Sequence, residues 1–285
     1  MRTLTLRSPA KLNLYLKVMN KRPDGYHTIV TLFERINLCD YIQFKLNAQR
    51  KIRIFCDHPD VPTGKKNLVY RVAQLLKDDF AMDEGVDITI QKNIPVAAGL
   101  AGGSSNAATA LCGLNALWKL GLTKAQLLGY ARKIGADVAF FLHDCSWGLG
   151  KERGDAIRNL LMDRKLWHIL VVPKVKLYAR DVYGALNLKL TNPEDNVTIL
   201  IRNLRKTNLS TAGKMLLNDL ESSIFHLCPK ILGLKNRIAN LKPKGVLVSG
   251  SGPAVFGVTE SKSEAEYLQS ILKKRYRQVF VVKTL

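Results

Sequence analysis

Apolar and polar residues alternate along two short stretches in the first third of the chain, residues 52–54 and residues 86–90. A period of two is the pattern of a β-strand with one buried face. Between these stretches, apolar residues recur at helical spacing after Asn67, whose side chain can accept a hydrogen bond from an unpaired amide at a helix start. The pattern predicts a strand, a helix and a strand in this order.

The second half of the chain mixes the same two periodicities. Residues 166–172 form an apolar run with the length of a buried strand, and residues 246–282 are typical of the order strand, strand, helix, strand. Two further helices are predicted to begin at capping boxes, formed by Thr123 with Gln126 and by Ser261 with Glu264. We predict an α+β fold. A boundary near residues 150–154 divides it into domains of residues 1–152 and 153–285.

Composition narrows the classes of function. No apolar stretch reaches the roughly 18 residues that a membrane-spanning helix needs, and the first residues lack the pattern of a secretory signal. We therefore expect a cytoplasmic protein without a membrane partner. The five cysteines are far apart and odd in number, which indicates reduced thiols rather than a zinc or redox site.

The net charge of +21 is the unusual bulk property. Residues 1–150 hold 20 basic and 12 acidic side chains, and residues 151–285 hold 24 and 11, so both halves are basic. The only short basic run is Lys273-Lys274-Arg275-Tyr276-Arg277. Because no recognition motif accompanies the charge, we favour a basic surface over dedicated binding of nucleic acid.

A glycine-rich loop follows the second predicted strand and leads into an apolar repeat of helical spacing. Small residues let the backbone approach an anion, and amides at the helix start favour phosphate. The spacing matches neither a Walker loop nor a dinucleotide fingerprint. By composition alone, a tight structural turn explains the loop equally well. The candidate phosphate-binding residues are Pro95, Val96, Ala97, Ala98, Gly99, Leu100, Ala101, Gly102, Gly103, Ser104 and Ser105.

Two charged residues stand in apolar surroundings. Lys11 and Asn13 occupy alternate positions of a strand-like segment and so share one face, and Asp137 precedes an apolar run. A buried lysine needs an anionic partner, which Asp137 could supply. A structural ion pair, or a helix cap at Asp137, remains an equal alternative on the pattern alone.

These segments together resemble the GHMP kinases, the family of galacto-, homoserine, mevalonate and phosphomevalonate kinases. The resemblance covers about residues 8–258, with the motifs in family order. It implies a two-domain fold with a ribosomal-protein-S5-like N-terminal domain and a ferredoxin-like C-terminal domain. It also implies ATP and Mg²⁺ as cofactors, with the loop around the ATP phosphates, Asp137 as general base and Lys11 orienting it. Ala97, Ala98 and Ala101 stand where several relatives carry glycine.

The segment Arg22–Phe33 resembles one branch of this family, which phosphorylates a cytidyl sugar alcohol. That resemblance implies that Tyr26 stacks on the cytosine, that His27 hydrogen-bonds its edge, and that Tyr178 lies on its other side. On the pattern alone, a Pro-Asp-Gly turn followed by an incidental Tyr-His pair is the alternative, and Tyr178 could be an ordinary surface tyrosine. Asn13 is a further substrate-binding candidate. No ligand of the metal can be named. Residues 248–256 resemble the third glycine motif of the family, and residues 218–221 resemble a structural segment.

Two other readings stay open. The first is another GHMP kinase, of the homoserine or mevalonate type, in which Tyr26 and His27 would have no evident purpose. The second is an RNA-binding protein with a degenerate kinase site, which the net charge would suit. We expect ATP and a small cytidyl substrate as the partners, no nucleic acid, and a monomer or weak homodimer.

Overall fold

The computed structural model describes residues 3–187, 196–206 and 208–285, which form two compact units. Unit 1 contains Met1–Ala10, Leu38–Val96 and Ala101–Asp144, and unit 2 contains Lys11–Asn37, Ala97–Leu100 and Cys145–Leu285. Strands β1 (Thr3–Lys21) and β2 (His27–Asn47) contribute residues to both units. The predicted division between residues 152 and 153 stays a prediction.

Unit 1 combines a sheet with four helices. Its strands β3 (Ile52–Cys56) and β4 (Gly85–Gln91) continue the order β3-β4-β2-β1. Strand β4 is parallel to β3 and antiparallel to β2. The helices are α1 (Leu68–Asp79), α2 (Gly102–Leu117), α3 (Lys124–Ile134) and α4 (Val138–Leu142). Both alternating stretches of the sequence are therefore strands, as predicted.

The helix starts in unit 1 follow the predicted capping chemistry. Asn67 precedes α1 and its side chain accepts a hydrogen bond of 2.8 Å from the amide of Val69. Thr123 and Gln126 form the complete capping box of α3. Helix α2 lies close to the ring of Phe44. A Cβ atom at Gly113 would be only 2.6 Å from that ring, so the close approach requires a glycine there.

Unit 2 contains the remaining elements. They are β5 (Trp147–Lys151), β6 (Ala156–Asn159), β7 (Trp167–Val172), α5 (Ala179–Gly184), α6 (Val197–Arg205), α7 (Leu209–Lys214), β8 (Leu217–Asn218), α8 (Glu221–Leu227), α9 (Pro229–Ala239), β9 (Gly245–Val248), β10 (Val255–Thr259), α10 (Lys262–Leu272) and β11 (Gln278–Lys283). Strand β8 is parallel to β1, while β5 is antiparallel to β2 and to β6. The strand, strand, helix, strand order predicted for residues 246–282 is confirmed.

A second sheet of unit 2 has the order β11-β7-β10-β9, with antiparallel neighbours throughout. Helices α9 and α10 pack on it and bury an apolar core that includes Ile169, Val171, Ile238 and Leu268. Such burial is the main favourable term in folding. Together, the helices and sheets of the two units confirm the α+β prediction.

The start of α10 departs from the predicted capping box in one bond. Ser261 accepts a hydrogen bond of 3.1 Å from the amide of Glu264, as expected. The carboxylate of Glu264 accepts from the amide of Glu260 at 2.7 Å instead of that of Ser261. Both bonds still satisfy amides at the helix start. Within the described part of the chain, no helix is long and apolar enough to cross a membrane.

Candidate functional site

The predicted site residues are divided between the two units. Unit 2 holds Lys11, Asn13, Tyr26, His27, Tyr178 and residues 97–100 of the glycine-rich loop. Unit 1 holds Pro95, Val96, residues 101–105 of the loop and Asp137.

Lys11 is a buried cation on β1 with polar neighbours in unit 2. Its ammonium group donates to the carbonyl oxygen of Gly99 at 3.0 Å and also to the side-chain oxygen of Asn13. The amide nitrogen of Asn13 donates to the hydroxyl of Thr31 at 2.8 Å, which fixes the orientation of the amide. The structure therefore brings together Lys11, Asn13 and Gly99 in unit 2. That Lys11 and Asn13 share a face agrees with their alternate positions on β1.

The glycine turn between β9 and β10 closes around the same group. The hydroxyl of Ser249 donates to the carbonyl of Gly99 at 3.1 Å, and the amide of Ala254 donates to the carbonyl of Ala98 at 3.2 Å. Gly250 has a φ of 54°, and a Cβ atom there would be 3.2 Å from the nitrogen of Lys11. A side chain at this position would crowd the ammonium group. This close approach is a physical reason for a glycine at position 250.

Residues 218–221 hold this turn in place. The side-chain amide of Asn218 donates to the carbonyls of Val248 and Gly250, each at 2.8 Å. The carboxylate of Glu221 accepts from the amide of Val248 at 3.0 Å. These contacts agree with the structural role predicted for the segment.

Tyr26 and His27 follow a tight turn at the end of β1. The amide of Gly25 donates to the carbonyl of Arg22 at 3.1 Å, and the φ of Gly25 is 83°. The carboxylate of Asp24 accepts from the amide of Tyr26 at 3.1 Å. This is the turn chemistry that the sequence indicated, and it presents Tyr26 with 51% of its surface exposed.

Each of these two aromatic residues has a partner that sequence analysis missed. The guanidinium carbon of Arg153 lies 5.1 Å from the ring centroid of Tyr26, and Arg153 is itself held by Asp155 at 2.7 Å. The imidazole of His27 stacks on the ring of Tyr183, with centroids 5.1 Å apart and planes inclined by 23°. A cation over a ring face and stacked rings are both favourable contacts.

The electrostatics of His27 favour its neutral form. Burial lowers the pKa of His27 from its usual 6.5, and the positive charge of Lys21 lowers the pKa further. Near pH 7 the imidazole therefore offers one donor and one acceptor nitrogen. Tyr178, the predicted second aromatic, precedes α5 and is 60% exposed. Its role stays a prediction, while the ring contact favours Tyr183.

In unit 1, the loop enters α2 through a left-handed residue. Ala101 has a φ of 54° and is followed by Gly102 and Gly103 at the helix start, with Ser104 half-buried in the first turn. First-turn amides of an α-helix have no acceptor within the helix, so this end suits an anion. The hydroxyl of Ser105 is buried and accepts a hydrogen bond of 2.8 Å from Ser8.

A buried polar network supports this end of α2 and was not predicted. The carboxylate of Asp40 accepts from the amides of Asn93 and Ile94 at 2.8 Å each, from the side chain of Asn106 at 2.8 Å and from Lys92 at 2.6 Å. Burial lowers the pKa of Lys92, and the charge of Asp40 opposes this shift. Four donors on one carboxylate tie the residues before the loop to the helix after it.

Asp137 lies immediately before α4, at the N-cap position. Its side chain makes no capping hydrogen bond, so the capping alternative of the sequence analysis is wrong. Its roles as ion-pair partner and as general base stay predictions. Within the described ranges, no group of three or more His, Cys, Asp or Glu side chains could hold a metal ion. Mg²⁺ needs no such group, since one or two carboxylates with substrate phosphates and waters usually bind it.

Sequence signals for the missed residues are weak. Arg153 and Asp155 belong to a short polar loop after β5, where charged residues are common without a functional reason. Tyr183 is five residues beyond the tyrosine that was chosen, Tyr178. Asp40 follows a cysteine within the long strand β2, and its own segment gives no sign of a special role. These residues differ from other polar or aromatic residues of the chain only in the side chains that they contact in the folded structure.

Both halves of the chain match models of a known protein family. The model of the GHMP kinases N terminal domain matches residues 67–144, and that of the GHMP kinases C terminal matches residues 200–278. The chain is 37% identical to a 4-diphosphocytidyl-2-C-methyl-D-erythritol kinase of Exiguobacterium sibiricum, covering 99% of this chain and 98% of that one. It is 38% identical to the enzyme of the same name from Bacillus anthracis, covering 99% and 97%.

Solved structures give the same picture at the level of the fold. A crystal structure of 4-(cytidine 5'-diphospho)-2C-methyl-D-erythritol kinase superposes with a TM-score of 0.83 at 30% identity, covering 98% of both chains. A homoserine kinase from Cytophaga hutchinsonii superposes with a TM-score of 0.78 at 19% identity, covering 100% of this chain and 95% of that one. The second likeness concerns the fold alone.

Proposed function

Because this chain belongs to the GHMP kinase family, we propose that it transfers the γ-phosphoryl group of ATP to the 2-hydroxyl group of 4-diphosphocytidyl-2-C-methyl-D-erythritol. Relatives of that name match 99% of the chain at 37–38% identity. The observation that carries the choice of substrate is the aromatic group around Tyr26 and His27. The exposed ring of Tyr26 offers a stacking surface for a base, and the imidazole of His27, stacked on Tyr183, offers hydrogen-bonding nitrogens.

The proposed recognition of the cytosine uses both faces and the edge of the base. Tyr26 supplies a ring that Arg153 holds by a cation-π contact, and base stacking on such a ring contributes about 1–3 kcal/mol. His27 supplies hydrogen bonds to the edge of the base. Tyr183, which already contacts His27, is proposed in preference to Tyr178 as the second aromatic residue.

The proposed reaction breaks the bond between the γ-phosphorus and its bridging oxygen while the substrate hydroxyl oxygen bonds to that phosphorus. Asp137 takes the proton of the hydroxyl, and ADP leaves. Lys11, kept in place by Asn13 and Gly99, orients this carboxylate and supplies positive charge that favours the ionised form of the substrate hydroxyl. The amides at the start of α2 bind the phosphates.

Residues 95–105 fit a triphosphate. The loop is short of bulky side chains, and the N-terminus of the 16-residue helix α2 follows it. Mg²⁺, when bound with ATP, neutralises charge on the transferring phosphoryl group. The predicted cytoplasmic location, the monomeric or weakly dimeric state and the domain boundary are further parts of this proposal.

One assay tests the reaction and its base. The native protein is incubated with Mg²⁺, ATP and the cytidyl substrate, and ADP and the phosphorylated product are measured. Asp137→Asn should lower kcat by about 10²–10⁴-fold, because an amide cannot accept the proton. Asp144→Asn, which changes an exposed carboxylate nearby, is the control. No product from the native chain, or equal rates for native and Asp137→Asn, would contradict the proposal.

A second assay tests the substrate. Tyr26→Ala should raise the KM for the cytidyl substrate by about 10- to 100-fold, corresponding to the loss of one stacking contact, and leave the KM for ATP unchanged. Tyr267→Ala removes a tyrosine that is even more exposed than Tyr26 and should change neither. Homoserine and mevalonate serve as competing acceptors. Faster phosphorylation of either one would assign the chain to another GHMP kinase activity.

A further inference from the structure

Exposed cations gather at the connection between α10 and β11. Lys273, Lys274, Arg275 and Arg277 are all exposed, while Tyr276 between them packs against the apolar core of unit 2. The amides of Arg275 and Tyr276 donate to the carbonyl of Leu272 at 3.0 and 2.9 Å. The connection is therefore an ordered turn that holds four positive charges on a fixed backbone. These four residues are called the basic cluster below.

Strand register places the basic cluster at a definite end of the second sheet. Gln278, the first residue of β11, pairs with Val172 at the end of β7. In the adjoining row, Val171 pairs with Val255 at the start of β10, and Val255 pairs with Val248 at the end of β9. The glycine turn of residues 249–253 therefore leaves the sheet at the end where the basic cluster enters it.

The separation follows from the spacing of strands. Strands β11 and β10 are two positions apart and β11 and β9 three, at about 4.8 Å per position, so the basic cluster lies roughly 10–15 Å from the glycine turn. That turn contacts the carbonyl of Gly99 and adjoins the ammonium of Lys11. Exposed Lys174, two residues beyond β7, adds a fifth cation at the same end. Positive charge therefore borders the Lys11 group of unit 2.

Ion pairing distinguishes the two ends of the sheet. At the opposite end, Lys244 pairs with Glu260 at 2.8 Å and Lys262 pairs with Glu266 at 3.0 Å. Among the residues that the structure describes, none of the basic cluster forms an ion pair. Cations at the C-terminus of α10 do stabilise its dipole, but the effect is confined to the last turn. The helix dipole therefore does not explain the positive charge of Arg277, which immediately precedes β11.

We propose that the basic cluster attracts polyanionic small molecules, the nucleotide triphosphate and the nucleoside diphosphate substrate, towards the Lys11 group. The inference rests on the proposed function, in which both substrates carry phosphates. Unpaired charge of one sign beside a binding site raises the rate of encounter with ligands of the opposite sign. The cluster does not contact the reacting atoms, so it acts on kcat/KM and leaves kcat unchanged.

The test compares two variants with the same change of charge. The cluster variant carries Lys273→Gln, Lys274→Gln, Arg275→Gln and Arg277→Gln. The control variant carries Lys165→Gln, Lys244→Gln, Lys262→Gln and Lys283→Gln, at the opposite end of the sheet. The measurement is kcat/KM for ATP and for the cytidyl substrate between 10 and 150 mM salt, with thermal unfolding to verify folding.

The cluster variant should lose about tenfold in kcat/KM at 10 mM salt and about twofold at 150 mM, because the Debye length falls from about 30 Å to about 8 Å. The control variant should lose less than about twofold at 10 mM. Equal losses in both variants, or a loss in the cluster variant that salt does not change, would overturn the inference. So would salt-sensitive binding of a single-stranded oligonucleotide that the cluster variant loses while its kcat/KM stays native. Inactivity of the native protein would instead reject the proposed function.

Discussion

Gly99 is the residue of the glycine-rich loop at which a single added methyl group should most disturb the surroundings of Lys11. Its φ is 75°, a left-handed conformation that alanine adopts at a cost of about 1–2 kcal/mol. A Cβ atom there would lie 2.1 Å from the carbonyl oxygen of Ser249 and 3.0 Å from the amide nitrogen of Gly252. Both neighbours are backbone atoms, which cannot rotate away as a side chain can. The glycine-rich loop and the glycine turn must therefore move apart in Gly99→Ala.

The expected loss of stability is the sum of two effects. The left-handed backbone contributes about 1–2 kcal/mol, and overpacking against fixed neighbours contributes about 1–3 kcal/mol. Gly99→Ala should therefore lower the free energy of unfolding by about 3 kcal/mol. Gly103→Ala is the matched control in the same loop. A Cβ atom at Gly103 meets nothing within 4 Å, and the residue is already helical, so alanine should be neutral or stabilise by up to about 1 kcal/mol.

Urea unfolding of both variants measures the stability, and steady-state kinetics measures the site. Because the carbonyl of Gly99 accepts hydrogen bonds from Lys11 and Ser249, Gly99→Ala should also lower kcat. A Gly99→Ala protein as stable as Gly103→Ala would refute the steric reasoning. A destabilised protein with native kcat would show that displacement of the loop does not disturb Lys11.

Three smaller predictions follow from buried or capped groups. Asp40→Asn should cost about 3–5 kcal/mol of stability in urea unfolding, because the buried ammonium of Lys92 loses its counter-charge. Asn67→Ala should cost about 1 kcal/mol through loss of the helix cap. The KM for the cytidyl substrate should rise as the pH falls below 6.5 and His27 becomes protonated. Lys21→Gln removes a repelling charge, raises the pKa of His27 and should move this rise to higher pH. If KM depended on pH in the same way in Lys21→Gln and in the native protein, the assignment of this pH dependence to His27 would be contradicted.

Local patterns were sufficient for most of the secondary structure. The alternation at residues 86–90 predicted β4 because a half-buried strand requires a period of two. The starts of α1 and α3 were predicted because Asn67 and Thr123 satisfy amides only a few residues away. The capping partner of Glu264 was wrong because two neighbouring amides, those of Glu260 and Ser261, compete for one carboxylate. Local sequence cannot rank such competitors.

Contacts between distant residues were beyond the reach of these patterns. Arg153 and Tyr26 are separated by 127 positions and His27 and Tyr183 by 156, yet each pair is in ring contact. Charged and aromatic residues in loops are common, so nothing in their own segments marks them. The motifs singled out Lys11, Asn13 and Gly99, which contact one another in unit 2, while the roles of the other candidate residues stay predictions. The residues that orient the motif side chains became visible only in the folded chain.

Backbone hydrogen bonds compensate for the strain of two left-handed alanines in the glycine-rich loop. Ala97 and Ala101 have φ values of 53° and 54°, whereas Ala98 does not have a positive φ. Left-handed alanine costs about 1–2 kcal/mol at each site, and such conformations persist only where surrounding contacts determine them. Here the carbonyl of Ala98 accepts from the amide of Ala254, and that of Leu100 accepts from the amide of Lys11. Backbone bonds from the glycine turn and from β1 thus hold the residues between the two strained positions. The loop can therefore keep a left-handed backbone at Ala97 and Ala101 although both residues carry a Cβ atom.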